Sequence, residues 1–438
     1  MPEGLDALSL AELAQAMSGQ GGGWLLHIAR DEGRMATLAE EIAFFAPGIH
    51  ILRLPAWDTL PYDRTSPNPE ICATRMNTLA RLVGQEAPKA PSILLTTINA
   101  SLQRLAPRSS IAGAVFQAGI GVEVVVDELL EFLVRNGYSR TGTVMEPGEF
   151  ATRGGIVDIY PAGAESPVRL DFFGDTLESI RLFDPLTQIT TGTGQTLNLV
   201  PVSEVQLTSE TTDRFRQAYR ELFGAITDED PLYASIREGR RHAGMEHWLP
   251  LFYDEMETVF DYVNEGIVTM DHQCLEARDD RLAQVEDYYQ ARVEAQKNPY
   301  GGAPSYKPIP PQRLFMDVTA WDQAIAARPG GVYSPFSTPE AANVIDFAGR
   351  QGRNFAAERA QAEINVFDAL RGHVNEQRQR GRRVVFAAFS MGSAERMALL
   401  LDDHGIEGVQ AVDHWPGVLA LETGVPAMVV LGLEHGVE

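Results

Sequence analysis

Two cysteines, Cys72 and Cys274, are all that the 438 residues contain. They lie far apart and in no metal-ligand spacing. The sequence therefore offers neither a disulfide framework nor a cysteine zinc site, and it fits a reducing, cytoplasmic setting. No run of about 18 apolar residues is present, so a membrane-spanning helix is not expected. The opening residues, MPEGLDALSLAELAQAM, are acidic and do not read as a secretory leader. Positive charge is scarce too: 36 Lys and Arg stand against 60 Asp and Glu, a net charge of −24. A field of that sign repels phosphate. Nucleic acid is thus disfavoured as a general partner, and a protein partner is better supported.

Catalytic signatures are missing as well. A nucleotide-binding phosphate loop would stand before the first long helix, as Gly, four residues, then Gly-Lys-Ser/Thr. Here the series ends Gly33-Arg34-Met35, and its first glycine position is Ile28. Arg34 can hold charge, but Met35 cannot ligate magnesium, so the loop reads as degenerate and without a nucleotide. The nearby GQGGG has no following Lys. His242 and His247 are five apart and do not share a helix face as metal ligands four apart would. The other histidines are isolated, and no HExxH or EF-hand pattern occurs. Ser390-Met391-Gly392-Ser393 follows a strand but does not meet G-x-S-x-G, and helix capping accounts for it better.

What is present is alternation of strand and helix. A short helix is expected over Ser9–Met17, with Ser9 and Glu12 in capping-box spacing. Strands follow at Trp24–Ala29, Ile49–Leu54 and Ser92–Thr97, with helices at Gly33–Phe45 and Pro69–Val83 and another opening at Asn99. This order implies a parallel sheet covered on both faces. From Val122 a strand and a helix ending at Gly137 lead into a β-meander, then a polar loop at Thr190–Gln195 and a strand pattern from Leu197 to Leu207. Helices are expected at Thr212–Phe223 and Leu275–Gln296, and strands at Val259–Val263 and Ile267–Met270. Asn298–Pro311, rich in Pro and Gly, reads as a loop. A second α/β series follows: strands at Gly331–Ser334, Arg383–Phe389, Val409–Val412, Val418–Glu422 and Ala427–Leu431, and helical pattern over Asn354–Arg380 and after Ser390 to His404. The division expected is 1–116 and 206–316 as two segments of one α/β domain, 117–205 as an inserted α+β domain, and 317–438 as a further small α/β domain.

The meander is the most informative stretch. Its strands read as Gly154–Tyr160, Val168–Phe173 and Leu177–Phe183. Side chains alternate along a strand, so Val168, Leu170 and Phe172 share one face and Arg169, Asp171 and Phe173 the other. A face holding Arg and Asp meets water, and a large aromatic there has the composition of a binding patch. The plainer alternative is that Phe173 packs under a loop.

Several stretches together resemble the transcription-repair coupling factor (Mfd) family. These are LPAWDTLPYDRTSPNPEICATRMNTLARL at 54–82, ILLTTINASLQRLAP at 93–107, YSRTGTVMEPGEFATRGGIVDIYP…VRLDFFGDTLESIRLFDP at 138–185, GMEHWLPLF at 244–252 and the closing LGLEHGVE. The third also resembles, more loosely, the excision nuclease subunit UvrB. The resemblance implies a degenerate RecA/P-loop-like parallel-sheet domain in two segments, with an inserted domain that binds UvrA, the damage-recognition ATPase of excision repair. It implies UvrA contacts at the Arg of ATRG and at the Arg and second Phe of RLDFF, which are Arg153, Arg169 and Phe173. It implies no cofactor for this region. ATP and Mg would belong to the motor, and RNA polymerase and double-stranded DNA would be bound by other parts of the parent. None of the motor's boxes is found here, so the chain is expected to be an N-terminal piece that is not itself an enzyme. The rival readings are a nucleotide hydrolase on the same scaffold, or a DNA-binding module using the basic run QRQRGRR at 377–383.

Overall fold

A computed structural model describes residues 1–19, 22–84, 88, 90–224, 230–297, 306–361, 363 and 365–438. The chain opens with helix α1 (Leu5–Gly19), then β1 (Leu25–Ala29), α2 (Glu32–Phe45), β2 (His50–Leu54), α3 (Pro69–Gly84), β3 (Ser92–Thr97) and the short α4 (Ile98–Leu102) and α5 (Arg108–Ala112). Every residue of β1 and β3 is buried, as expected for parallel strands covered on both faces. Alternation splits them between two cores. Leu26, Ile28 and Leu94 join a large cluster with α3, whereas Leu25, Ala29, Ile93 and Leu95 pack against α1 and α2. Helix α1 begins four residues earlier than Ser9. That serine lies inside the helix and its hydroxyl meets Tyr333 Oη at 3.1 Å, so it is not a cap.

The next unit starts at β4 (Phe116–Gly119) and α6 (Val126–Arg135). Strands β5 (Ser139–Arg140), β6 (Glu149–Arg153), β7 (Ile156–Ile159), β8 (Val168–Phe173), β9 (Thr176–Phe183) and β10 (Thr190–Gly194) form one sheet in the order β10-β9-β8-β7-β6-β5, while β11 (Thr196–Leu199) returns to pair with β4. The strand expected from Gly154 is two strands: Arg153 pairs with Ile156 across a Gly154-Gly155 turn. Gly154 has φ +63°, the conformation that a two-residue hairpin turn with glycine at its first central position requires. Thr190–Gly194, expected as a polar loop, pairs with the long β9 and becomes the sheet edge. The Leu197–Leu207 pattern gives strand only to Leu199. Residues 122–125 are not a strand and make one isolated bridge, Glu123 to Thr176. One face of the sheet, with Val157, Ile159, Val168, Leu170 and Ile180, packs on Leu129, Phe132 and Leu133 of α6.

Helices α7 (Ser209–Phe223) and α8 (Pro231–Arg237), a 3-10 turn over Met245–Leu251, α9 (Val259–Tyr262), β12 (Ile267–Asp271), α10 (Cys274–Lys297), α11 (Pro311–Leu314), α12 (Val318–Ala326) and β13 (Gly330–Tyr333) complete the first sheet, in the order β13-β12-β1-β3-β2, all parallel. Val259–Val263 was expected as a strand. The Asp261 carboxylate accepts from Thr258 N and Thr258 Oγ1, and this capping box closes a helical turn instead. Strand β13, expected to open the last unit, pairs with β12. Trp321 of α12 is buried in the first unit's core and donates to Ser101 Oγ. The loop expected at Asn298–Pro311 lies outside the described residues up to 305, and residues 306–310 have no regular structure.

Beyond β13 come α13 (Ala356–Arg359), α14 (Val366–Gln379), β14 (Val385–Ala388), α15 (Met391–Asp403), β15 (Gln410–Ala411), α16 (Trp415–Ala420) and β16 (Ala427–Val430), the three strands being parallel in the order β14-β16-β15. Two short helices replace the long one expected over Asn354–Arg380. Val418–Glu422, expected as a strand, falls largely in α16, whose first turn carries Pro416 and is capped by His414 Nδ1 accepting from Gly417 N. Trp415 and Val418 dock this unit on α1 and α2.

Candidate functional site

Two places were singled out by the sequence. The first is the turn after β1. The strand ends at Ala29 and α2 starts at Glu32, with Asp31 as N-cap accepting from Arg34 N at 2.7 Å. Two residues thus separate strand and helix, where a phosphate loop needs a long glycine-rich arc. Arg34 points inward among carboxylates. Its guanidinium is paired with Asp6 of α1, donates to Glu41 Oε2 at 3.2 Å, and lies 4.0 Å from Asp271. Asp271, at the end of β12, accepts from Arg30 N at 3.1 Å and sits 3.2 Å from His27 Nε2. Met35 is buried in the α1–α2 core, and Gly33 lies in the first turn of α2. Burial, followed by the Asp6 charge, pushes Glu41 up to about 7 against the pull of Arg34, while the hydrogen bond from His27 and the Arg34 charge outweigh burial and hold Asp271 below the ordinary carboxylate range. Arg34 is thereby consumed by its own chain.

The second place is the solvent-facing side of the six-stranded sheet. Cross-strand register fixes it. Ala151, Asp158, Arg169 and Arg181 form one row, and Arg153, Ile156, Asp171 and Ser179 the next, all directed away from α6. Between Asp171 and Phe172 the register skips Glu178 of β9, which keeps Leu177 on the packed side opposite Phe172. Phe173, the last residue of β8, is 76% exposed. The structure therefore brings Arg153, Arg169 and Phe173 onto one face. Strand spacing and rise put Arg153 and Arg169 each about 12–13 Å from Phe173.

Their surroundings differ. Arg153 ends β6 and is exposed, its Nη2 donating to Gly142 O at 2.6 Å. Arg169 is not free. Its Nε and Nη2 donate to the two oxygens of Asp158 at 2.7 and 2.9 Å, and its guanidinium lies 4.7 Å over the Phe183 ring. Phe183 is itself buried with Val144 and Ala151 in a small cluster on this face. The Asp158 carboxylate holds the Arg169 pKa above its ordinary value. Arg181, directly opposite Arg169, is paired at 2.7 Å with Asp171, which also accepts from Ser179 Oγ. A groove of about 780 Å³ opens at this end of β8, lined by Ile120, Gly155, Ile156, Asp171, Phe172 and Thr176 among others.

Sequence reasoning missed Asp158 and Arg181. The available signal was a lone carboxylate inside the apolar strand IVDIY. A carboxylate buried there requires a cationic partner across the sheet, and Arg169 is the residue opposite.

The remaining candidates come apart. His247 is buried between Trp57 and Tyr62, and burial pushes it down to about 4; no cluster of metal-holding residues occurs among the described residues. Ser390 Oγ accepts from Ser393 N, capping α15. In the basic run, Arg380 pairs with Glu376, Arg382 with Glu438, and Arg383 donates to the Val418 and Leu421 carbonyls. No helix among the described residues is long and apolar enough to cross a membrane.

A family model described as the UvrB interaction domain matches residues 117–204, the stretch that carries this face. The chain is 32% identical over 313 residues to the transcription-repair-coupling factor of Escherichia coli, covering 71% of this chain and 26% of that protein. It is 28% identical over 379 residues to that of Rickettsia bellii (86% and 32%) and 30% identical over 402 residues to that of Myxococcus xanthus (87% and 33%). The chain thus spans about a third of the length of the curated relatives it matches. The chain belongs to the transcription-repair-coupling factor family and corresponds to its N-terminal, UvrB-like region.

Proposed function

We propose that this chain recruits UvrA through the outer face of the six-stranded sheet, with Arg153, Arg169 and Phe173 as contacts. The observation that supports the reading is Phe173, largely exposed at a strand end on the face that also carries Arg153 and Arg169, and inside the region matched by the UvrB interaction domain. An aromatic with flanking Arg is the composition of interface anchors. Phe173 fills an apolar pocket on UvrA, and the arginines donate to its carboxylates or carbonyls. The test is titration of UvrA with the intact chain and with Arg153→Ala, Arg169→Ala and Phe173→Ala. Loss of about 2 kcal/mol or more for Phe173→Ala is expected. Unchanged affinity in the Arg169→Ala/Phe173→Ala double variant refutes the assignment.

On the same reading the first sheet is a RecA-like scaffold that has given up its nucleotide. Asp6, Glu41 and Asp271 already surround Arg34 where a phosphate would need a free cation. Calorimetric titration with Mg-ATP is expected to give no heat of binding, and clear binding would revive a hydrolase. In the longer relatives, displacement of RNA polymerase by ATP-driven movement on double-stranded DNA would then rest on segments outside this chain.

A further inference from the structure

The outer face is a small circuit of compensated charge. Asp158 is buried on β7, directly opposite Arg169 in the register, and both its oxygens are engaged by that one guanidinium. The ring of Phe183 supports the guanidinium from below. An arginine held by Nε and one Nη nitrogen, and stacked on a ring, has lost the rotamer freedom that an exposed arginine keeps. Its Nη1 edge remains to donate outward. The fork that would grip a partner carboxylate through two parallel hydrogen bonds is already filled by Asp158. Arg153 differs: the acceptors the structure gives it are an uncharged carbonyl and the Thr143 hydroxyl, so among the described residues no carboxylate compensates its charge.

We propose that Asp158 is the positioning residue of the UvrA-binding face, and that it makes Arg169 a preoriented donor for an uncharged acceptor such as a main-chain carbonyl, leaving Arg153 to attract a partner carboxylate. This rests on the function proposed above. The two arginines then contribute in different ways. Arg169 acts through direction at short range, which salt screens little. Arg153 acts through net charge, which salt screens.

The experiment is a double-mutant cycle on the intact chain, with UvrA affinity measured at low and at physiological salt. Asp158→Asn preserves shape but releases the fork, and it is expected to weaken binding about tenfold in the parent and to have no further effect in the Arg169→Ala background. Arg169→Ala is expected to weaken binding equally at both salt concentrations, whereas Arg153→Gln should weaken it more at low salt. Melting curves of each variant separate folding from binding. Asp158→Glu, which retains the charge on a longer stem, is expected to recover part of the affinity. The inference fails if Asp158→Asn leaves affinity unchanged, or if it costs as much without Arg169 as with it. If Arg169→Ala itself has no effect, the proposed function fails instead.

Discussion

Glu41 lets the buried charge cluster behind β1 be tested by stability alone. Glu41 is 2% exposed, with one hydrogen bond to Arg34, and the Asp6 carboxylate stands beside the same guanidinium. Burial and that neighbouring charge raise its pKa from 4.5 to about 7 in the folded chain. A carboxyl raised in this way binds more protons folded than unfolded between those values. Its contribution is therefore fully present below pH 4.5 and is lost as pH rises through about 7. The interval corresponds to about 3 kcal/mol at 1.36 kcal/mol per pH unit. Glu41→Gln keeps an oxygen to accept from Arg34 and removes the ionisation. Its stability relative to the parent should improve by about 2–3 kcal/mol between pH 5 and pH 8, whatever the constant offset of placing an amide there. Urea unfolding followed by circular dichroism at the two pH values measures this difference. A pH-independent offset, or a variant that loses ground as pH rises, would refute the reasoning.

Three further outcomes follow from burial and pairing. Phe173→Ala should leave the melting temperature unchanged, within about 0.5 kcal/mol, because the ring is exposed; a large drop in a thermal melt would mean that it packs on the chain. Arg75→Ala should cost about 3–5 kcal/mol, since the side chain is fully buried, donates to Glu204 at 2.7 Å and to Pro55 O, and leaves the buried Glu204 unpaired when removed; denaturant midpoints report it. Ser390→Ala should cost about 1 kcal/mol through loss of the α15 cap, which hydrogen exchange in the first turn of α15 would localise.

Legibility divided along a physical line. Helices α2, α3 and α10 and strands β1, β3 and β8 are carried by their own residues, through long amphipathic spacing or uninterrupted apolar runs, and the sequence expectation places each within a residue or two. The errors fall where a partner decides. Thr190–Gly194 has the composition of a loop and is a strand because β9 extends an edge for it to pair with. Gly330–Tyr333 is short enough to belong to either α/β unit and is claimed by β12. Val259–Val263 and Val418–Glu422 have strand-like composition, but the caps at Thr258 and His414 set helices over Val259–Tyr262 and Trp415–Ala420. The site followed the same rule. Alternation alone assigned Arg169 and Phe173 to one face. Pairing Arg169 with Asp158 needed the β7–β8 register, which no single strand encodes.

That pairing bears on how a chain of net charge −24 can offer arginines to a partner. At physiological ionic strength the Debye length is about 8 Å, so the bulk of the acidic surface is screened from this face. What a docking protein meets is the local set: Arg153, Arg169 and Arg181 against Asp158 and Asp171, with two of the three arginines neutralised in place. Such a face gains little from long-range steering and much from direction and from burial of an apolar ring. It follows that association should be slow and weakly salt-dependent for its size, with Phe173 supplying most of the affinity and Arg169 most of the geometry. A steep salt dependence abolished only by Arg153→Gln would place the recognition on that single charge instead.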